Sequence, residues 1–430
     1  SCLSGSRPRS ARCWCAEMAA PRVELVVVGD ELQSGRVVDT NSAFLGRELA
    51  QRGWMPARRV VVGDLETDIR AALEAAAGAD LVFVVGGLGP TPDDVTLDAV
   101  SRATGRPLVE HGPTLRRIER RFRMSGRRLP ALSRRQARVL KGCRLFANPV
   151  GAVPGMILNW RGGRLVLLPG VPAELRALLE QRVLAALEQA LPTAPLHSVR
   201  IRTTGVAEAA IATRSRPILR RFPSVTCGYY PGTAGVDVVL RSGSGRALVQ
   251  CRSAVEKALG RAVYETGERD LAEVVLDLCR QRGIKLATAE SCTGGLIGNL
   301  LTDVQGSSAC YVGGVVAYAN ELKRELLGVD EATLAVYGAV SGPVARRMAL
   351  GCCRALGADL GIAVSGVAGP GGGTKEKPVG LVWTAVAQDG RVRSRAHRFP
   401  GPRRAVKQRA AAAALNLARL VLLEPGRPKR

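Results

Sequence analysis

Histidine, aromatic residues and long apolar runs are scarce in this chain. Of its 430 residues only 3 are histidine, and 4% are aromatic. No apolar run approaches the ~20 residues that a membrane-spanning helix needs. The longest apolar stretches are short strands such as Leu81–Val85. Hydrophobic residues still supply 46% of the chain, enough for ordinary cores, so we expect a soluble protein with no membrane partner.

Cysteine is present without a framework. The 11 cysteines are odd in number, no C-x-x-C occurs, and Cys352 and Cys353 are adjacent. Disulfide and zinc interpretations are therefore poor. We expect Cys292 and Cys310 to act as small buried residues in a reducing cytoplasm.

Acidic residues are outnumbered, and the net charge is +25. Such a charge attracts polyanions. A block of arginines stands out, but Phe122 is its single aromatic residue, which disfavours single-strand nucleic-acid binding. We interpret the block as a solvated helical face rather than a polyanion site, and expect no nucleic-acid partner. Its members are Arg116, Arg117, Arg120, Arg121, Arg123, Arg127, Arg128, Arg134, Arg135 and Arg138.

Strand and helix patterns alternate at both ends of the chain, which indicates parallel α/β sheets. Ligands of such sheets bind at the carboxyl ends of strands. Gly29-Asp30-Glu31 and Gly86–Pro90 fall at such ends. Between the two α/β regions a small α+β pattern runs from His197 to Tyr264. The first predicted elements are strands at Val23–Val28, Arg58–Val62 and Leu81–Val85, and helices at Asn41–Arg52 and Asp68–Ala77.

The predicted organisation has three domains, as 430 residues favour two or three. Pro192 and Pro195 suggest the first boundary. We expect residues before Met18 to be a disordered upstream extension. The predicted segments are the extension 1–20, an α/β domain 21–192, an α+β domain 193–266, a second α/β domain 267–424 and a tail 425–430.

One stretch of the last domain predicts chemistry. Gly283–Thr288 is typical of a short buried strand, and Ser291 and Thr293 follow it before a glycine pair. Small residues there allow a ligand to approach, and a following helix would direct free N–H groups at it. With Tyr318, Lys323 and the glycine-rich loop after Ser365, the set suggests acyl chemistry that needs neither histidine nor metal.

Several motifs in order resemble the CinA family. In the C-terminal part these are AESCTGG, VAYANELK, YGAVS, SGVAGPGGG and KPVG. This part resembles the domain that deamidates nicotinamide mononucleotide (NMN). GDELQSG, DTN, GGLGPTPDDVT and LPGVPAE resemble the molybdopterin-binding fold of MogA and MoeA. The middle region resembles a KH-like domain, without a well-placed GXXG loop, and we interpret it as a spacer or dimerisation module. The implied fold is two three-layer α/β domains flanking a small α+β KH-like domain.

The resemblance implies roles in the C-terminal domain. Ser291 is the nucleophile, Lys323 its base, and Tyr318 a proton relay or positioning group. The residues alone leave alternatives open: Ser291 as a helix cap, Lys323 as a surface lysine, and Tyr318 and Ser365 as structural residues. No cofactor is implied for deamidation. Further implied substrate contacts are Ser365, backbone N–H groups near Thr293, Gly294 and Gly295, the phosphate-binding Gly369, Gly371, Gly372, Lys375 and Lys377, and Ser307 and Ser308.

In the N-terminal domain, Gly87, Gly89 and Thr91 are expected at a phosphate. Asp93, Asp94 and, tentatively, Asp39 offer oxygen ligands for Mg²⁺, Mn²⁺ or Co²⁺. The alternative is that Asp93 or Asp94 caps a helix near Val95. Further candidate site residues are Asp30, Glu31, Asn41 and Glu174.

The resemblance implies a homodimer that acts on NMN, with ADP-ribose pyrophosphatase activity as a second function. The rival interpretation is a non-catalytic molybdopterin-binding or competence-associated adaptor.

Overall fold

A computed structural model describes residues 21–191 and 196–424, in two compact units that separate between Leu196 and His197. The expected extension before residue 21, the boundary prolines and the tail after residue 424 lie outside these ranges. Within the described ranges, no helix is both long and apolar enough to cross a membrane.

The first unit is an α/β domain. Its strands are β1 (Val23–Val28), β2 (Pro56–Val62), β3 (Leu81–Val85), β4 (Leu108–Glu110), β5 (Arg138–Leu140), β6 (Arg144–Phe146), β7 (Gly155–Trp160) and β8 (Gly163–Leu168). Its helices are α1 (Asp30–Gln33), α2 (Thr40–Gln51), α3 (Glu66–Ala75), α4 (Thr96–Thr104), α5 (Gly112–Met124), α6 (Pro172–Leu178) and α7 (Leu184–Glu188), with helical turns at Ala131–Ala137 and Leu179–Val183.

Its main sheet has the order β2-β1-β3-β8-β7-β6. The first four strands are parallel, as predicted. Strand β7 runs antiparallel to β8, and the edge strand β6 runs antiparallel to β7. Helices cover both faces, because side chains of alternate parity along each strand are buried on opposite sides. In β3, Leu81 and Phe83 pack with α2 and α6, whereas Val82 and Val84 pack with α3 and α4. The three-layer prediction is confirmed here.

The second unit combines the middle region and the last domain. The middle region has β9 (His197–Thr203), β10 (Thr226–Pro231), β11 (Val236–Ser242) and β12 (Val263–Thr266) in an antiparallel sheet, with α8 (Glu208–Leu219) and α9 (Gly245–Leu259). The last domain has strands β13 (Leu286–Glu290), β14 (Tyr311–Val316), β15 (Leu360–Gly366), β16 (Leu381–Gln388) and β17 (Arg391–Arg398). Its helices are α10 (Leu271–Arg282), α11 (Leu296–Thr302), α12 (Asn320–Glu325), α13 (Glu331–Tyr337), α14 (Gly342–Leu356) and α15 (Arg403–Leu422), and helical turns lie at Gly260–Ala262 and Ser307–Ala309.

The last sheet has the order β14-β13-β15-β16-β17. Strands β14, β13 and β15 are parallel. Strand β16 is antiparallel to β15, and β17 is antiparallel to β16. Helices α10 and α15 cover one face, and α14 covers the other. Strand β13 begins and ends later than predicted. Gly283 ends α10 in a left-handed conformation, so the strand starts at Leu286 and continues through Ala289 and Glu290.

The middle region is joined to the last domain by a buried arginine. Arg419 of α15 donates from Nη1 to the carbonyl oxygen of Val263 (3.1 Å) and from Nη2 to that of Arg261 (2.6 Å). A buried guanidinium must be satisfied in this way, because leaving it unpaired is costly. The middle region is therefore packed against the last domain, rather than a free spacer.

Seven of the ten arginines of the block are exposed, as predicted for a solvated face, and Arg117, Arg135 and Arg138 are half-buried. Several of its members hold loops of the first unit. Arg117 donates to the carbonyl oxygens of Asn148 and Ala152, and burial lowers the pKa of its guanidinium. Arg138 forms an ion pair with Asp98 (2.8 Å). Part of the charge excess is therefore structural.

Candidate active site

Three neighbouring parallel strands end at one edge of the last sheet. Glu290, the last residue of β13, is level with Val316 of β14 and Val364 of β15. Ser291 follows β13, and its N–H donates to the carbonyl oxygen of Val364 (3.0 Å). Ser365 is the next residue of β15. The segment that carries Tyr318 and Lys323 follows β14, so the register brings these polar residues to the same edge, as predicted.

The loop after Ser291 is a tight turn. Gly294 and Gly295 have φ angles of 61° and 91°, a region that favours glycine, and the Gly294 N–H donates back to the Ser291 carbonyl (3.1 Å). The side chain of Thr293 is 0% exposed, and its hydroxyl has no hydrogen-bond partner among the described residues. A buried polar group without a partner is rare and points to a binding site.

The helix after this loop does not supply its first amides to a ligand. The buried carboxylate of Glu290 accepts from the N–H groups of Ile297 (3.0 Å) and Gly298 (2.8 Å) in α11. The sequence pattern predicted free N–H groups there, but the carboxylate at the end of β13 accepts hydrogen bonds from two of them. In the described chain, the amides of Thr293 and Gly295 have no backbone partner and remain available.

Lys323 is 1% exposed, so it is not a surface lysine. Its Nζ donates to the carbonyl oxygens of Tyr318 (3.1 Å) and Ala319 (3.3 Å). Burial lowers the pKa of its ammonium, against smaller opposite effects of Cys292 and Glu321. A neutral amine has two N–H bonds and one lone pair. With both bonds directed at carbonyls, the lone pair is free to accept a proton.

Cys292 is adjacent to the proposed nucleophile and is itself unsuited to attack. Burial raises the pKa of its thiol to about 12. The thiol therefore stays protonated at neutral pH, and the reactive form of cysteine is the thiolate. Of the two neighbours, Ser291 is the candidate nucleophile.

Tyr318 lies on the surface rather than in the core, with its side chain 60% exposed. Its hydroxyl accepts from Nη2 of Arg403 (2.9 Å), and Nη1 of the same guanidinium donates to the carbonyl oxygen of Gly369 (2.9 Å). Nζ of Lys407, one turn further along α15, is 3.5 Å from where a Cβ on Gly294 would lie. Arg403 and Lys407 thus place two cations between the serine loop and the glycine-rich loop.

Sequence analysis did not assign Arg403 and Lys407. A signal existed, because both are in the first turns of α15, where the helix dipole disfavours cations. Lys377, which was assigned to the phosphate, donates from Nζ to the carbonyl oxygen of Tyr337 (2.6 Å). It fastens the exposed loop of Gly371 and Gly372.

Ser365 is buried, and its hydroxyl donates to the carbonyl oxygen of Ala339 (2.7 Å). This bond fastens the YGAVS segment to the end of β15, a structural role that the residues alone left open. Ser307 and Ser308 precede β14 and lie level with the start of β13. Five strand residues, roughly 16 Å, separate that edge from Ser291. The structure does not bring these two serines to the site in one chain.

In the first unit, Asp94 organises the glycine loop after β3. Its carboxylate accepts from the N–H groups of Gly89 and Thr91 (2.8 Å each) and from the Thr91 hydroxyl (2.5 Å). It does not cap α4, since Val95 is the N-cap residue and no side chain caps that helix. Arg135 donates to the carbonyl oxygens of Thr91 and Asp94. A Cβ on Gly87 would lie 2.2 Å from the Thr96 hydroxyl, so the turn requires glycine.

The other candidates of this unit also bond within the protein. Asp39 caps α2 by accepting from the Ser42 N–H (2.9 Å) and hydroxyl. Nδ2 of Asn41 donates to the carbonyl oxygen of Gly170 (2.6 Å). Glu174 accepts from Nδ2 of Asn148 (2.7 Å).

A carboxylate group that the sequence did not suggest lies beside Asp30. The backbone N–H of Asp30 donates to Asp64, and that of Asp64 donates to Asp30 (2.9 and 3.0 Å). Burial raises the pKa of Asp64, and the charges of Asp30, Glu31 and Asp93 raise it further. Among the described residues, no three His, Cys, Asp or Glu side chains are arranged to hold a metal ion.

Comparison with known proteins covers both units. Residues 24–189 match the probable molybdopterin binding domain, and residues 268–422 match the CinA C-terminal domain. A CinA-like protein from Gemmatimonas aurantiaca is 42% identical over 405 residues, which are 92% of this chain and 95% of that protein. A putative competence-damage inducible protein from Symbiobacterium thermophilum is 41% identical over 421 residues, 93% of this chain and 98% of that protein.

The crystal structure of the competence/damage inducible protein CihA from Agrobacterium tumefaciens is 41% identical, covering 36% of this chain and 94% of that chain with a TM-score of 0.35. The two full-length relatives align through both units and preserve their order. The chain therefore belongs to the CinA family.

Proposed function

We propose that the last domain is a nicotinamide mononucleotide amidohydrolase, which converts NMN and water to nicotinate mononucleotide and ammonia. The observation that carries the proposal is a buried lysine of lowered pKa at the strand edge where Ser291 lies. A serine hydroxyl is a weak nucleophile and needs such a neighbouring base. The family to which the chain belongs supports the substrate through the resemblance of its motifs.

In the proposed reaction, Ser291 Oγ attacks the carboxamide carbon, and its proton passes to Lys323 Nζ. The amide N–H groups of Thr293 and Gly295 stabilise the oxyanion of the tetrahedral intermediate. Lys323 returns the proton to the departing nitrogen, and ammonia leaves. Water then attacks the acyl-serine and gives a proton to Lys323 Nζ. As this second tetrahedral intermediate collapses, Lys323 returns the proton to Ser291 Oγ, and the nicotinate product leaves.

Two groups suit the rest of the substrate. Arg403 and Lys407 provide positive charge for the 5′-phosphate, and guanidinium binds phosphate through paired hydrogen bonds. The unpartnered hydroxyl of Thr293 is a candidate partner for the carboxamide or the ribose. Tyr318 is held by Arg403 and orients that guanidinium rather than the nucleophile.

The test is release of ammonia and nicotinate mononucleotide from NMN by the full chain, with and without EDTA. We expect Ser291→Ala to fold and to lose turnover by on the order of 10⁴-fold or more. Ser394→Ala, on the outer strand β17, is the matched control and should keep turnover. Turnover by a folded Ser291→Ala protein would remove the serine from its role.

We propose as a second function that the first unit hydrolyses ADP-ribose to AMP and ribose 5-phosphate with a divalent cation. The observation in favour is the proximity of Asp64 to Asp30, Glu31 and Asp93, whose charges add to the effect of burial in raising the pKa of Asp64. A Mg²⁺, Mn²⁺ or Co²⁺ ion would relieve that repulsion and polarise the pyrophosphate. Because no three carboxylates of the described residues form a ready site, one or two of them would hold the ion together with oxygens of the substrate. Gly89 and the neighbouring loop lie at the same strand ends.

The test is AMP formation from ADP-ribose with each metal. Asp30→Asn should lower the rate, and Asp68→Asn, an exposed carboxylate on α3, should not. Absence of AMP with every metal, together with binding of a pterin, would favour the adaptor interpretation instead.

We also infer a homodimer. Strand β14 is an edge of the last sheet, and Val312 and Val316 are exposed along it. An open apolar edge strand is normally covered. Sedimentation should show a dimer for the native chain, and Val316→Glu should shift it toward a monomer; a wild-type monomer would contradict the inference.

A further inference from the structure

A groove lies between the middle region and the last domain, away from Ser291. Its cavity is about 870 Å³, large enough for a small-molecule ligand. The turn before α8, the β10–β11 connection, the end of β17 and one face of α15 line it. We call it the seam groove, and the residues that matter below are Thr204, Ala207, Arg395, His397, Phe399 and Arg409.

The groove has a positive end. Arg395 has no carboxylate partner among the described residues, and Arg409 donates to the carbonyl oxygen of Pro400. Glu208 is the single acidic residue that lines the cavity. Arg395 also lines an adjoining cavity of about 380 Å³. Arg261, Arg346 and Arg393 line that cavity too, together with one acidic residue, Glu424, which pairs with Arg393. The net charge of the groove therefore favours an anion.

The N-terminus of α8 opens into the same space. This helix has 12 residues, and its N-cap residue Ala207 supplies no side-chain cap. Among the described residues the amides of Glu208 and Ala209 have no acceptor, whereas that of Ala210 bonds to the Ala207 carbonyl (3.0 Å). Two free amides at a helix N-terminus suit phosphate.

A hydroxyl without a protein partner, next to that turn, gives independent support. Thr204 is 4% exposed and lines the groove, and its hydroxyl makes no hydrogen bond within the described ranges. Its neighbour Thr203, in contrast, donates to the Val236 carbonyl (2.7 Å). A hydroxyl that lines a cavity without a protein partner is free to bond to a ligand there.

An aromatic step lies on the opposite wall. The rings of His397 and Phe399 are stacked, with centroids 5.2 Å apart and planes inclined by 10°. Burial lowers the pKa of His397, and the charge of Arg395 lowers it further, so the imidazole is neutral at neutral pH. A flat apolar surface beside an anion-binding end matches a molecule that carries both a ring system and a phosphate.

We propose that the seam groove is a second nucleotide site, which binds a nucleoside phosphate with its phosphate at Thr204, Ala207 and Arg395 and its base against Phe399. The site shares no residue with the proposed amidase mechanism and does not depend on it.

The experiment labels the full chain with 8-azido-AMP by photolysis. Peptide mapping then locates the label, because AMP also suits the other nucleotide sites proposed above. We expect label on the peptide that contains His397 and Phe399. Arg395→Ala should weaken this labelling about tenfold, as expected for a lost charge-assisted hydrogen bond, and Thr204→Val by a few fold.

Arg398→Ala is the matched control. It removes the same charge from the same strand, at a position that does not line the groove, and should leave labelling unchanged. Excess AMP should compete, and adenosine, which lacks the phosphate, should compete at least about tenfold less well. Label confined to other peptides, labelling insensitive to Arg395→Ala, or equal competition by adenosine would each overturn the proposal.

Discussion

The two strand-edge sites of this protein differ in how their polar groups are satisfied. At the last sheet, Thr293 keeps a buried hydroxyl without a partner, and Lys323 is held with a lowered pKa. At the first sheet, Asp94 and Asp39 are bonded to the loops and helix that carry them. The first kind of site is ready for a ligand, whereas the second must exchange internal bonds for ligand bonds. Similar topology thus supports different degrees of preorganisation.

The largest effect is expected from a substitution of Lys323. Lys323→Met removes the base and should lower NMN turnover by roughly 10²- to 10⁴-fold. In the wild type, kcat/KM should rise with pH as the lysine loses its proton. Because burial lowers its pKa, the midpoint should lie below the ordinary lysine value of 10.5.

The measurement is the pH profile of ammonia release. Lys285→Met is the control, because that lysine is at the opposite end of β13 and bonds to the Ala309 carbonyl. A rising limb that persists unchanged in Lys323→Met would assign the titration to another group.

The next prediction concerns the charge at the site. Arg403→Gln removes the guanidinium that joins Tyr318 and Gly369, and should raise KM for NMN by about 10- to 100-fold, with a smaller effect on kcat. Arg404→Gln removes a neighbouring exposed arginine and should leave KM unchanged. Equal effects of the two variants would mean that general charge, rather than this contact, binds the substrate.

How far the sequence predicts these sites depends on the range of the interactions. The strands Val23–Val28 and Leu81–Val85 have the predicted bounds, because their apolar runs and end signals are local. The nucleophile loop is also local. The place of Arg403 in the first turn of α15 is a local signal, but its position near the serine loop is not, because α15 follows that loop by more than a hundred residues.

Placement at a sheet edge is equally non-local. Ser307 and Ser308 are close to Ser291 in sequence, but the chain returns through α11 to the end of the sheet where β13 and β14 begin. The reciprocal bonds of Asp30 and Asp64 join two strand ends, and the pattern of either strand alone does not indicate them. Sequence therefore predicts elements and loops better than it predicts which loops meet.

The next prediction concerns the site of the first unit, where Asp94 bonds to its own loop. Asp94→Ala leaves the N–H groups of Gly89 and Thr91 without their acceptor and should lower the free energy of unfolding by about 1–3 kcal/mol. Asp93→Ala, one residue earlier and exposed, should change it far less. Urea unfolding of both variants measures the difference, and equal stabilities would show that the loop does not depend on the Asp94 carboxylate.

The smallest effect is expected at the last sheet, from a substitution of Thr293. Thr293→Val replaces a buried, unpartnered hydroxyl with a methyl group of the same shape, so the free energy of unfolding should stay level or rise by up to about 1 kcal/mol. Thr288→Val is the matched control on the preceding strand, where the hydroxyl bonds to Tyr311 (2.9 Å), and it should lose about 1 kcal/mol. If Thr293→Val is destabilised as much as Thr288→Val, the Thr293 hydroxyl already has a partner in the free protein. If it is not, yet KM for NMN rises, the hydroxyl is held unsatisfied in the free protein and finds its partner in the substrate.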